Sequence, residues 1–276
     1  MTELLATKAR EHRMSRESTS DPTRRFSGLE NLYARHRPSY PADAIDFIVR
    51  RCGLDATTTL VDVGCGTGIS TRLFAERGIP TIGIEPNDAM RAKAEAEPPA
   101  TGVPPVYRKG TGEATGLSDG AAAAVLAAQA FHWFDAAAAF REFRRILRPG
   151  GHAVLMWNER DSADPFTDAY GQVIRSVPGA ASVEGPRGKS GEAIFHTPYF
   201  VDADLTRFKN AQEVDEDGLV GRSLSASYAP KEPAAVAVFV DALRGVFARY
   251  QRSEKVLIRY VTSVYSGRAA PRGESA

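Results

Sequence analysis

The chain has 276 residues, 43% hydrophobic and 25% charged, proportions that exclude collagen-like, coiled-coil and wholly disordered classes. Lys plus Arg number 35 and Asp plus Glu 34, and a formal net charge of +1 offers no bulk field for nucleic acid or an anionic membrane. Two cysteines, Cys52 and Cys65, cannot build a disulfide framework, and no His-Cys cluster suggests a metal site, so the chain reads as intracellular and cytoplasmic.

Residues 1–25 mix charges with Ser and Thr, lack the apolar segment of a signal peptide, and are expected to form a mobile tail or lid. The apolar periodicity after Pro41 (Ile45, Ile48, Val49, Cys52) predicts an amphipathic helix. A β-branched run over 59–63 predicts a buried strand that ends in glycines. A helix over 69–77, a strand over 80–84, a helix over 88–97 and a short strand over 103–108 follow. Residues 121–128 set propensity against rhythm: an Ala-rich run favours helix locally, yet the alternation demands a strand, and a fully buried central strand can be simply apolar. Strand is the reading adopted. Asp135 reads as the cap of a helix with Phe140, Phe143 and Leu147 on one face, stopped by Arg148-Pro149-Gly150-Gly151 ahead of a strand over 153–157.

Beyond Trp157 the rhythm changes. Asp164-Pro165 opens a helix, 179–192 reads as a mobile Gly/Ser-rich loop, and 205–208 as a strand. A long helix carries Val236, Phe239, Leu243, Phe247 and Tyr250, and 255–265 is the last strand. The expected fold class is α/β: one domain over 26–265 with a doubly wound, mostly parallel sheet, an antiparallel edge strand and helical cap additions. Residues 158–230 would supply the substrate-side insertions, and 266–276 a frayed C-terminus.

The most informative stretch is Val61-Asp62-Val63-Gly64-Cys65-Gly66-Thr67-Gly68, placed where a strand becomes a helix. Glycines there allow unusual φ and close approach of a ligand to bare backbone. A dinucleotide fingerprint would need glycine at Ile69, and a P-loop would need Gly-Lys-Ser/Thr, so phosphate cradling is disfavoured. Glu85 closes the second strand, where its carboxylate can accept from both hydroxyls of a ribose and would repel a 2′-phosphate; Met90 can lie against a purine face.

These residues, with Thr81-Ile82-Gly83-Ile84-Glu85-Pro86, Gly110-Thr111-Gly112-Glu113-Ala114 and Leu147-Arg148-Pro149-Gly150-Gly151, resemble the class I S-adenosylmethionine-dependent methyltransferases. The Phe26-Ser27-Gly28 segment, the stretch from Tyr33 to Pro41 and Ala128-Gln129-Ala130-Phe131-His132-Trp133-Phe134-Asp135 are similar to the small-molecule subgroup that includes trans-aconitate methyltransferase-like proteins. The resemblance implies a Rossmann-like fold and S-adenosylmethionine as cofactor, leaving as S-adenosylhomocysteine. It implies cofactor contacts from Asp62, Gly64, Gly66, Gly68, Glu85, Pro86 and Met90. Gly112 and Glu113 would meet the adenine edge, and Gln129 and Ala130 the methionine ammonium. Many relatives carry Asp where this chain has Thr111. Tyr33, Arg37 and Tyr40 could close over the cofactor, Arg37 pairing the methionyl carboxylate and Tyr33 reaching the reacting centre.

On the acceptor side His132 is read as a general base or a pocket-shaping residue. Trp133, Trp157, Tyr170 and Tyr228 are candidate pocket walls, and Asn158, His196, Tyr199 and Arg222 further contacts. The 221–228 segment would roof the pocket. No Asp/Asn-Pro-Pro-Tyr or Pro-Cys segment of base-modifying enzymes occurs, and Arg24-Arg25, Arg50-Arg51 and Arg144-Arg145 are isolated pairs. The function expected is methyl transfer to an O, N or C atom of a small organic acceptor, with no nucleic-acid or membrane partner. A cofactor-binding protein that does not methylate, and a protein or RNA methyltransferase, are the alternatives.

Overall fold

The computed structural model describes residues 36–180, 188–226 and 228–271. Tyr33 and the tail expected over 1–25 lie outside the described residues. Strands β1 (Leu60–Val63), β2 (Thr81–Ile84), β3 (Val106–Arg108), β4 (Ala122–Ala128), β5 (Leu147–Arg160), β6 (Phe200–Val214) and β7 (Val256–Ala269) form one sheet in the order β3-β2-β1-β4-β5-β7-β6. Neighbours from β3 to β5 pair in parallel, whereas β7 runs antiparallel to both β5 and β6. The expected doubly wound sheet with an antiparallel edge is therefore present. The strand order reverses between β1 and β4, the place where open α/β sheets leave a crevice at their carboxyl edge.

The Ala-rich run is a strand because tertiary pairing outweighs helix propensity. β4 lies between β1 and β5, and residues 122–127 are all buried. Its side chains feed two cores. Val125 and Ala127 pack with Phe140, Phe143 and Trp157 on one face, and Ala124 and Leu126 with Ile45, Ile48 and Phe74 on the other. Small side chains let helices approach both faces closely.

Helices α1 (Ala42–Cys52), α2 (Ile69–Ala75), α3 (Asp88–Ala96), α4 (Ala136–Ile146), α5 (Pro165–Arg175), α6 (Glu216–Leu224) and α7 (Pro233–Tyr250) cover the sheet. α1 stops at Gly53, whose φ of 57° is left-handed. Side-chain caps start four others: Asn87 accepts from the Ala89 and Met90 N–H groups, Asp135 from Ala138, Asp164 from Thr167 and Asp215 from Gly218. Among the described residues no helix is long and apolar enough to cross a membrane.

Several expectations need correction. Leu147 is not on the α4 face but is the first residue of β5. It pairs with Ala122 before the register jumps to Ala124 and His152, so the Arg148-Pro149-Gly150-Gly151 stop bulges out of the strand. β6 spans fifteen residues rather than 205–208. It is a sheet edge whose partly exposed, polar alternation hides it from a hydrophobicity reading. The 179–192 loop gives way from Gly188 to a 3-10 segment, Gly188–His196, and β7 continues to Ala269, past the fraying point drawn at 266. α6 escapes prediction because its two glycines and few apolar residues leave only a weak stripe.

Candidate active site

The loops leaving β1, β2 and β4 meet at one pocket of about 240 Å³. In the first, Gly64, Gly66 and Gly68 all take left-handed backbone, with φ of 70°, 56° and 77°. The Gly64 and Cys65 N–H groups donate to the Ile84 carbonyl at 2.8 and 3.1 Å, tying the loop to the end of β2. A Cβ at Gly64 would stand 2.7 Å from the Ala130 Cβ and 3.1 Å from the Phe134 ring. At Gly66 the only neighbour within van der Waals range among the described residues is the Met90 methyl at 3.6 Å, so a side chain there would grow into the pocket. Behind the loop, Asp62 is fully buried and accepts from the Ser70 and Thr71 hydroxyls, both at 2.7 Å, which fixes the first turn of α2. Burial pushes the Asp62 carboxyl up to about 6 despite those hydroxyls.

Glu85 bridges two elements. One carboxylate oxygen accepts from the Gly66 N–H and the other from the Asn87 N–H, each at 2.9 Å. The residue is 8% exposed and lines the pocket, and burial raises its pKa although the two amides and Arg91 act to lower it. Each oxygen has a lone pair left for a ligand hydroxyl.

A third wall carries Thr111, Gly112 and Glu113. It is anchored by Glu142, which accepts from the Thr115 N–H and hydroxyl at 2.8 and 2.6 Å. The Thr111 hydroxyl accepts from the Ala114 N–H at 3.2 Å, so this side chain shapes its own turn. A Cβ at Gly112 would meet the Phe134 ring at 2.6 Å; Phe134 thus closes over both Gly64 and Gly112.

The fourth wall is held by long-range hydrogen bonds. The Ser39 carbonyl accepts from Asn158 at 3.1 Å and Asn210 at 2.9 Å, and the His36 carbonyl accepts from Gln212 at 2.9 Å. Arg37 donates to the Ser225 carbonyl at 3.3 Å, and the imidazole of His36 leaves room only for glycine at 221. Residues 36–40 and α6 are thereby fastened together at the pocket, lined here by Arg37, Tyr40 and Arg222.

Of the residues singled out in the sequence, Arg37, Tyr40, Gly64, Gly66, Glu85, Pro86, Met90, Gly112, Glu113, Gln129, Ala130 and Trp133 line this pocket. Gln129 has a left-handed φ of 56° and donates through its side chain to the Asn158 carbonyl at 3.2 Å. Asp62 and Gly68 stand behind the lining and act on it through the loop. Trp157 and Tyr170 are not pocket walls. Trp157 is 1% exposed and edge-on to Tyr265, while Tyr170 is stacked on Phe166 with its hydroxyl 3.2 Å from that of Ser223. Tyr228 packs beside that same cluster. His132 lies outside the lining, in the 3-10 turn Phe131–Trp133, and its Nδ1 accepts from the Trp157 indole at 3.4 Å. That contact places a neutral ring's proton on Nε2.

Two further lining residues are Phe134, which no motif assigned a role, and Arg222, one of the further acceptor contacts named from the sequence. Phe134 was legible only as an aromatic beside His132. Arg222 is 6% exposed and, among the described residues, forms no ion pair. Burial works against its charge, but the phenols of Tyr260, Tyr170 and Tyr228 outweigh that and raise its pKa.

The strand order and the site at its reversal define the Rossmann-like class I methyltransferase fold. Residues 61–155 match the family described as Methyltransferase domain. An uncharacterized methyltransferase of Mycobacterium tuberculosis is 38% identical over 157 residues, 57% of this chain and 61% of the relative. The chain thus spans about three fifths of the length of the mycobacterial relatives it matches. An uncharacterized methyltransferase-like protein of Schizosaccharomyces pombe is 26% identical over 246 residues, covering 87% of this chain and 93% of its own. Among solved structures, a candidate type II methyltransferase from Anaeromyxobacter dehalogenans superposes with a TM-score of 0.63 at 23% identity, over 86% of this chain and 99% of the other.

Proposed function

We propose that the chain is an S-adenosylmethionine-dependent methyltransferase that methylates a small organic molecule. The observation that carries this reading is the Glu85 carboxylate, buried, lining the pocket and locked to the backbone N–H of Gly66. That arrangement suits a nucleoside whose ribose diol needs two acceptors. It suits a phosphate badly, because the fixed negative charge would repel one. The match of residues 61–155 to a methyltransferase family supports the same cofactor.

When bound, S-adenosylmethionine supplies a methyl group on a sulfonium, itself a strong leaving group. The chain's own task is then to hold two partners in line and keep water out. Glu85 would take the ribose hydroxyls, Met90 and Phe134 the faces of the base, and Gly112 and Glu113 its edge. Arg37 would pair with the methionyl carboxylate, and Gln129 and Ala130, which line the pocket, would meet the ammonium. Trp133 walls the acceptor side, and the positions of Arg37 and Arg222 on two fastened segments support a small, enclosed acceptor rather than a polymer. His132 is read as a shaping residue, since its Nδ1 is already engaged by Trp157.

Titration calorimetry with S-adenosylhomocysteine tests the cofactor half. The unaltered chain is expected to bind it one to one, and Gly66→Val, which places a branched side chain in the pocket beside the Met90 methyl, is expected to lose binding. The far-ultraviolet circular dichroism should stay native. Equal affinity in the variant would remove the ligand from this loop.

A further inference from the structure

Arg222 is a buried cation with an unmet need. Its guanidinium lines the pocket, its Nε has no hydrogen-bond partner, and among the described residues it forms no ion pair. The pocket's two carboxylates are committed elsewhere: Glu85 to the amides of Gly66 and Asn87, Glu113 to the Asp135 N–H at 2.9 Å. The electronegative groups acting on Arg222 are phenols, those of Tyr260, Tyr170 and Tyr228, which keep it charged without neutralising it. An arginine held this way is complementary to a planar oxyanion arriving from the pocket, to which it offers a forked pair of donors.

Resting on the methyltransferase reading above, charge counting separates acceptor from cofactor. The cofactor has one carboxylate, and Arg37, on the neighbouring segment, is placed for it. The cofactor also carries an ammonium and a sulfonium, so a second arginine beside it adds positive charge that only a further anion can offset. We propose that Arg222 anchors an oxyanion group on the methyl acceptor, and that this residue makes the pocket selective for acidic over neutral acceptors.

The test uses the full chain saturated with S-adenosylhomocysteine, titrated with benzoate, benzenesulfonate and phenyl phosphate against the neutral benzamide and benzyl alcohol. Phenyl probes are chosen because Trp133 and Phe134 line the same pocket. At least one oxyanion should bind saturably, at least tenfold more tightly than the neutral probes, with the preferred probe reporting which oxyanion the fork favours. Arg222→Met should abolish that discrimination while leaving S-adenosylhomocysteine affinity within twofold and the melting temperature no lower, since a buried charge without a counter-ion is replaced by a side chain of similar length. Arg222→Lys should restore part of the preference. Absence of any saturable oxyanion binding, equal binding of the neutral probes, or discrimination that survives in Arg222→Met would each overturn the proposal. A parallel loss of S-adenosylhomocysteine affinity in both variants would make Arg222 a cofactor contact and overturn it too. Failure of the unaltered chain to bind S-adenosylhomocysteine would instead overturn the cofactor reading, and the acceptor assignment with it.

Discussion

Glu85→Gln replaces one carboxylate oxygen by an NH2 group and leaves side-chain length intact. The carboxylate receives one backbone N–H on each oxygen, from Gly66 and Asn87 at 2.9 Å. A glutamine keeps one acceptor and turns an NH2 donor toward the other amide, so one backbone hydrogen bond is lost at ~1–3 kcal/mol. Removing a charge whose pKa burial has raised returns a similar amount, so the ligand-free stability should move by less than about 2 kcal/mol. Cofactor binding has no such offset. Loss of one charge-assisted bond to the ribose and weakening of the other costs roughly 2–4 kcal/mol, or about 30- to 700-fold in Kd. Calorimetry with S-adenosylhomocysteine measures the affinity, and urea unfolding of the ligand-free chain measures the stability. A Kd within threefold of the unaltered chain, with stability reduced, would make Glu85 an ordinary strand-end acid that braces the loop and would refute the ribose assignment.

Two further outcomes follow from groups behind the pocket. Asp62, raised to about 6 from 3.8, binds a proton more tightly in the folded chain, so its contribution to stability is full below pH 4 and lost as pH rises through 6. Relative to Asp62→Asn, the unaltered chain should lose about 3 kcal/mol of unfolding free energy across that window, and a pH-independent difference in denaturant melts would contradict the buried-carboxyl argument. His132→Ala removes the acceptor for the buried Trp157 indole, which should cost ~1–3 kcal/mol of stability while turnover falls less than about tenfold. A hundredfold loss of kcat together with a vanished acidic limb in the pH profile would restore His132 as a base.

What could be read from the sequence follows the range of the contacts involved. The half of the pocket proposed for the cofactor is local: Gly64, Gly66, Glu85 and Met90 come from two consecutive strand–loop–helix units, and their spacing alone brings them together. Even the Ala-rich strand was legible once alternation was weighed above propensity. The acceptor half is assembled across the chain. Residues 36–40 reach α6, β5 and β6 through hydrogen bonds spanning more than a hundred positions, and Arg222 meets Tyr170 and Tyr260 from separate elements. Trp157 shows why such residues misled. Positions 153–157 of β5 are buried on both faces, so no two-residue alternation distinguishes a side chain aimed at the crevice from one aimed at the core. Arg222 was named only as one of several acceptor contacts, and its burial was not legible, for the opposite reason. Arginine on a short helix with two glycines reads as a surface residue, and only the packing of Tyr170, Tyr228 and Tyr260 around it turns it inward. The division is physical: the glycine loop and its carboxylate need only neighbouring units of the sheet, whereas the acceptor side needs a cation brought to the crevice by late, distant additions. Substitutions in α6 should therefore change which acceptor is bound before they disturb the binding of the methyl donor, whereas substitution of Arg37 should weaken the donor as well.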